Sequence, residues 1–161
     1  MPKTYEPIST QTLATSATTV TFSSIPQTYT DLVLIINSKM TSGDDAHGLQ
    51  FNGDTATNYS ATGLYGSAGV AGSYRGSNSI KIDSGRIGTD WSNSIIHIMN
   101  YSNTTTYKTV LSRGNNTVTT LVIVGALWRS TSAISSLVIS AYNNQSMLTG
   151  STFTLYGIKA A

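Results

Sequence analysis

The chain contains no cysteine, which excludes a disulfide framework and any thiolate-ligated metal centre, so stability must come from packing and backbone pairing. Charge is scarce as well: Asp, Glu, Lys and Arg together make up 10% of the 161 residues, with a net formal charge of +2. The nine Lys and Arg are scattered along the chain, whereas a phosphate-binding footprint needs them clustered, so nucleic acid is not expected as a partner. Glu6 is the sole glutamate and His47 and His97 are the two histidines, which leaves few groups for general acid–base work. No apolar run approaches the ~18 residues of a membrane span. The opening MPKTYEPIST lacks the apolar centre of a signal peptide. The expectation is a soluble protein, made in the cytosol and not bound to membrane.

Nucleophile and nucleotide motifs are also missing. Gly66-Ser67-Ala68-Gly69 resembles a G-x-S-x-G elbow but lacks its spacing, and there is neither a G-x-G-x-x-G fingerprint nor a P-loop lysine. Asp83 and Asp90 are available as paired carboxylates, yet nothing singles them out. Asp44-Asp45-Ala46-His47 offers metal-ligating side chains, but with no second cluster it reads as a solvated turn. The reading is a protein that is not an enzyme, with no catalytic residue, cofactor or metal.

What the chain does have is hydroxyl: roughly three in ten residues are Ser or Thr, well above ordinary usage. Five Asn-x-Ser/Thr sequons, at Asn58, Asn100, Asn103, Asn115 and Asn144, follow from that composition by chance. Against this polar background the apolar, β-branched segments stand out. Ile95–Tyr101, Thr106–Arg113 and Leu121–Trp128 predict three consecutive antiparallel strands joined by short polar links. Further strands are predicted at Thr18–Ile25, Asp31–Lys39, Leu49–Phe51, Ser79–Ile82, Ile134–Ala141 and Ser151–Lys159. Thr41–His47 and Asp83–Asp90 read as loops, and Gly- and Ser-rich 62–78 as a surface excursion. Asn52-Gly53 marks a turn, after which Asp54 or Thr55 caps one helical turn leading to an anchored Tyr59.

Eight or nine short strands at about ten-residue spacing, without a helix of any length, predict an all-β fold: a jelly-roll-like antiparallel β-sandwich with crossovers between its sheets. Residues 1–12, broken by Pro2 and Pro7, form an extended N-terminal arm with no local partner, and 13–161 form the single sandwich domain. Leu32–Ile36, Ile95–Met99 and Leu121–Val124 are apolar on both faces, so something covers the outer one. The options are the 62–78 segment or a second subunit, and low charge favours the subunit. Tyr65, Tyr74, Trp91, Trp128 and Tyr142 are candidates for stacking on sugar. Trp128, ending a strand, is expected to cap the core, whereas Trp91 and Tyr74 remain as surface or glycan contacts.

Four segments carry a resemblance: FNGDTATNYS at 51–60, NYSNTTTYKTVLSR at 100–113, ALWRSTSAI at 126–134 and GSTFTLYGIKA at 150–160. With them the chain resembles a group of small virion structural proteins of tailed bacteriophages, either capsid cement (decoration) proteins or tail-fibre-type β-sandwich domains. That resemblance implies a homotrimer on the capsid exterior, bridging neighbouring capsomers of the major capsid protein, with no catalytic residues. A chain starting at its own Met1 with only a short arm favours cement over fibre. The expected shell contacts are Tyr5, Pro7 and Ile8, and the expected trimer face is His97, Met99 and Val122. Loss of residues 1–12 is expected to abolish shell attachment and spare the folded trimer. The alternative is a tail-fibre or receptor-binding module that meets a host glycan through Trp91.

Overall fold

The structure is a computed structural model that describes residues 4–116, 120–143 and 145–159. Residues 1–3 of the arm and Asn144, with its sequon and its place in the turn, lie outside them. Among the described residues the elements are all strands: β1 (Tyr5–Thr12), β2 (Thr19–Phe22), β3 (Asp31–Ser38), β4 (Asp44–Phe51), β5 (Tyr59–Ser67), β6 (Val70–Ser79), β7 (Ile82–Gly88), β8 (Ser92–Met99), β9 (Lys108–Asn116), β10 (Thr120–Trp128), β11 (Leu137–Ala141) and β12 (Thr152–Ile158). They form two antiparallel sheets, an eight-stranded one in the order β1-β12-β3-β8-β9-β10-β5-β6 and a four-stranded one in the order β2-β11-β4-β7. The fold is an all-β sandwich. The chain crosses repeatedly between the layers; only β5 to β6, β8 to β9 and β9 to β10 stay within one sheet.

Side-chain alternation decides which face of each strand is buried. In β9, Lys108, Val110, Ser112 and Gly114 point inward while Thr109, Leu111 and Arg113 point out. The core lies where the small sheet meets the middle of the large one. Leu32, Leu34 and Ile36 of β3, Ile96 and Ile98 of β8 and Phe153 and Leu155 of β12 cluster with Leu49, Phe51, Ile82, Ile87, Leu137 and Ile139. Each such side chain contributes about 1.5–3 kcal/mol on burial. At one end Trp128 stacks on Tyr59 with ring centroids 6.3 Å apart and tilts against Phe51 at 5.5 Å. Trp128 thus caps the core, and Tyr59 is anchored through its hydroxyl, which accepts from the Phe51 amide and donates to the Asp54 carbonyl, both at 3.0 Å.

The central three-strand meander is present as β8, β9 and β10, paired in sequence. Three segments read as loops are strands. Residues 62–78 belong to the β5–β6 hairpin, in which Tyr74 lies over Gly63 and Tyr65 over Gly72, so the glycines are seats for aromatic rings. A Cβ on Gly63 would sit 2.2 Å from the Tyr74 ring. Residues 44–48 are part of β4, and 83–88 belong to β7, where a bulge opposite Ala46–Gly48 hides the alternation. The strand predicted at Ser79–Ile82 is instead the end of β6 and the start of β7 with a bend at Ile80 and Lys81 between them, and no helical turn follows Asp54. Asp54 accepts from the Ala56 amide in a local turn instead.

The arm has a partner in its own chain. Tyr5–Thr12 pairs along β12 as the edge strand of the large sheet, with a bulge between Pro7 and Ser9. Proline and a bulge both blunt an edge against further pairing. Glu6 adds an ion pair with Lys159 at 3.0 Å.

Candidate interaction face

The outer face of the large sheet is the prominent surface of the molecule. Its register places Ile35, Ile95, Arg113, Ile123 and Leu64 in one row across β3, β8, β9, β10 and β5. The adjoining row runs Val33, His97, Leu111, Gly125 and Thr62. Directly opposed residues have Cβ atoms about 5 Å apart, so these rows form one continuous surface in which aliphatic side chains surround Arg113 and His97. Leu64 is 62% exposed, Leu121 57%, Leu111 50% and Ile123 49%. Large aliphatic groups presented together in this way make the face a candidate association surface.

The face is hollowed. A depression of ≈ 530 Å³ is lined by Ile95, His97, Met99, Leu111, Arg113 and Ile123, with Asp31 at its rim. A neighbouring one of ≈ 480 Å³ lies over Gly125, where a Cβ would touch nothing, and shares Met99 and Leu111 with the first. In the middle the Arg113 guanidinium makes no hydrogen bond or ion pair with the described residues.

Of the residues expected on a subunit face, the fold brings His97 and Met99 together here. Val122 is elsewhere: it is fully buried inside the sandwich, in phase with Val124 and Trp128, and its neighbours Leu121 and Ile123 face out in its place. The signal for that assignment was in the sequence, since a core-capping Trp128 fixes every second residue of the strand as inward. Arg113, at the centre of the face, escaped the sequence reading because only the register sets it between two isoleucines.

On β1, Tyr5 is 52% exposed and Pro7 is exposed, whereas Ile8 is partly buried and packs against the hydrophobic core. The glycan candidates do not form one platform. Tyr74 is half-buried over Gly63, its hydroxyl enclosed near Asp83 and Arg86, and burial pushes that hydroxyl's pKa up. Trp91, 39% exposed in the β7–β8 turn, has Lys39 Nζ 5.0 Å from its ring centroid. It also rests against Gly150. No metal-ligating cluster occurs among the described residues.

His47 has the geometry of a base beside a nucleophile but no access. Its Nε2 lies 2.8 Å from Ser38 Oγ and its Nδ1 3.3 Å from Ser94 Oγ, and His47 and Ser38 are both fully buried between the sheets. Burial lowers its pKa to about 4, so it is neutral at physiological pH. Close approach of the layers here depends on Gly85 and Gly114, where a Cβ would fall 2.3 and 2.6 Å from Ser94 Oγ. The solvated turn expected at 44–47 is thus an inter-sheet junction.

No protein-family model matches this chain, and no curated protein sequence matches it.

Proposed function

We propose that this protein is a virion structural subunit of a tailed bacteriophage, a homotrimeric cement or decoration protein that binds the major capsid protein on the capsid exterior. The observation that carries the reading is the apolar outer face of the large sheet, built on its central strands and rich in exposed Leu and Ile. Such a face suits permanent association, because burying it removes aliphatic surface from water while depositing few charges in the interface. The resemblance at 51–60, 100–113, 126–134 and 150–160 supplies the virion context. Shell contact then falls to Tyr5 and Pro7 on the exposed edge strand. Many such weak contacts, repeated over a shell, add up through multivalency.

Electron microscopy of the parent particle with antibody against this chain tests the proposal: label distributed over the head is the expected result. Label confined to the tail tip would replace it with the fibre reading, in which half-exposed Trp91 beside Lys39 meets a host glycan. Under that second reading Trp91→Ala weakens host adsorption, whereas under the cement reading adsorption is unchanged.

A further inference from the structure

Arg113 sets a single charge at the centre of an otherwise aliphatic part of the outer face. Arg113 lies between Ile95 and Ile123 across the sheet and makes no ion pair with the described residues. A face-to-face stack of two outer faces would match aliphatic with aliphatic but would bury this guanidinium badly. The carboxylate at the rim, Asp31, already accepts the Asn100 amide at 2.6 Å. Leaving Arg113 buried and unpaired would cost more than the apolar contact around it returns. The complement of this face is therefore a protruding apolar group with a carboxylate next to it.

The chain carries such a group. Most carboxylates whose side chains are described are engaged: Glu6 with Lys159, Asp31 with the Asn100 amide, Asp45 with Asn143 and Asp54 with Asn58 and Trp128. Asp83 is largely enclosed. Asp90 is exposed, its side chain makes no hydrogen bond or ion pair with the described residues, and it immediately precedes Trp91. Trp91 is also partly held in place, by Lys39 over its ring and by Gly150 alongside, so docking it forfeits little side-chain freedom. A Trp entering an apolar pocket beside an Arg–carboxylate pair has the composition of an interface hot spot.

We propose that the Asp90–Trp91 tip of one copy docks in the Arg113 depression on the outer face of a second copy. The inference rests on the self-association reading above and names its contact. Tip and depression are different patches of one molecule, so the contact forms either reciprocally across a two-fold axis or head to side, the latter closing into a ring such as a trimer when the rotation permits. It also explains why the face carries a cation: the charge orients the incoming tip, and the aliphatic rim excludes water around it.

The test is the solution mass of the full chain, by sedimentation equilibrium from micromolar to hundreds of micromolar, for wild type, Trp91→Ala, Asp90→Arg, Arg113→Asp and the double charge swap. All the altered side chains are exposed, and circular dichroism with thermal melts establishes that each variant is folded. The expected result is an oligomer for wild type, at least about tenfold weaker association for each single variant, and recovery in the Asp90→Arg/Arg113→Asp double variant. A monomeric wild type, or single variants with wild-type mass, overturns the proposal, as does a double variant no better than either single one. The outcome is separable from the virion reading. Oligomer with unlabelled heads keeps the contact and removes the cement function, and labelled heads with a monomeric chain does the reverse.

Discussion

At the residue scale, His47 and Asp54 show how a chain poor in charge uses the few ionisable groups it has. His47 is held neutral between Ser38 and Ser94, its pKa lowered by burial to about 4 from 6.5. Between these values the unfolded chain binds a proton that the native protein does not. The His47 contribution is therefore fully present above about pH 6.5, is lost as pH falls toward 4, and amounts to about 3 kcal/mol across that window. Urea unfolding from pH 7.5 to 4 should show this slope in wild type, and His47→Gln should flatten it. A slope unchanged in the variant would remove His47 as its source.

Asp54 works by geometry. Its carboxylate accepts from Asn58 Nδ2 at 2.9 Å, Trp128 Nε1 at 2.7 Å and the Ala56 amide at 2.9 Å. These bonds, Asn58 first, hold its pKa below the usual carboxylate range against the opposing effect of burial. Asp54→Ala strands the indole N–H of the buried Trp128 and should cost about 2–3 kcal/mol. Chemical denaturation measures it, and a cost under half a kcal/mol would show the network to be replaceable by water.

Elements behave differently at the two ends of the large sheet. At one end β1 carries Pro7, a bulge and the Glu6–Lys159 pair, while Ile8 reaches back to the core. Removing residues 1–12 therefore uncovers β12 and part of the core, and should lower the melting temperature by several degrees. The truncation expected from sequence to be neutral for folding is for that reason a poor probe of shell contact. Tyr5→Ser, which changes an exposed side chain, is the cleaner one. At the other end the β5–β6 hairpin is held on its inner side by Tyr65 and Tyr74 lying on glycines. Gly63→Ala forces the Tyr74 ring aside and should destabilise by about 1–3 kcal/mol. Amide exchange should then quicken in β5 and β6 and stay slow in β3 and β8. Uniform acceleration would mean that the hairpin unfolds with the core and not before it.

For the whole molecule, the division of labour is between a closed inner face and an open outer one. Ile35, Leu64, Leu111, Leu121 and Ile123 lie on one surface of a single sheet, so a molecule that remained monomeric would carry an aggregation liability. The proposed self-association through Trp91 and the Arg113 depression would answer that liability and should depend only weakly on salt, because one charge pair is set among many aliphatic contacts. Mass measured at low and high ionic strength checks this, with a steep fall in association at high salt as the contrary result.

Residue pattern alone determined that the chain is all-β, that 95–128 forms consecutive antiparallel strands, that Trp128 caps the core and Tyr59 is anchored, and that Leu32–Ile36, Ile95–Met99 and Leu121–Val124 are apolar on both faces. Those features are local, since apolar runs of strand length and the turn residues between them are written into each segment. Tertiary structure decided the rest. The glycine-rich 62–78 became a hairpin because rings elsewhere on the same hairpin fill its glycine positions. The segment 45–48 became a buried strand because Ser38 on β3 and Ser94 on β8 satisfy His47 across the sandwich. The phase that turns Val122 inward and the register that sets Arg113 between Ile95 and Ile123 are properties of strand pairing. Pairing joins residues far apart in the chain, and no single segment carries the information for it.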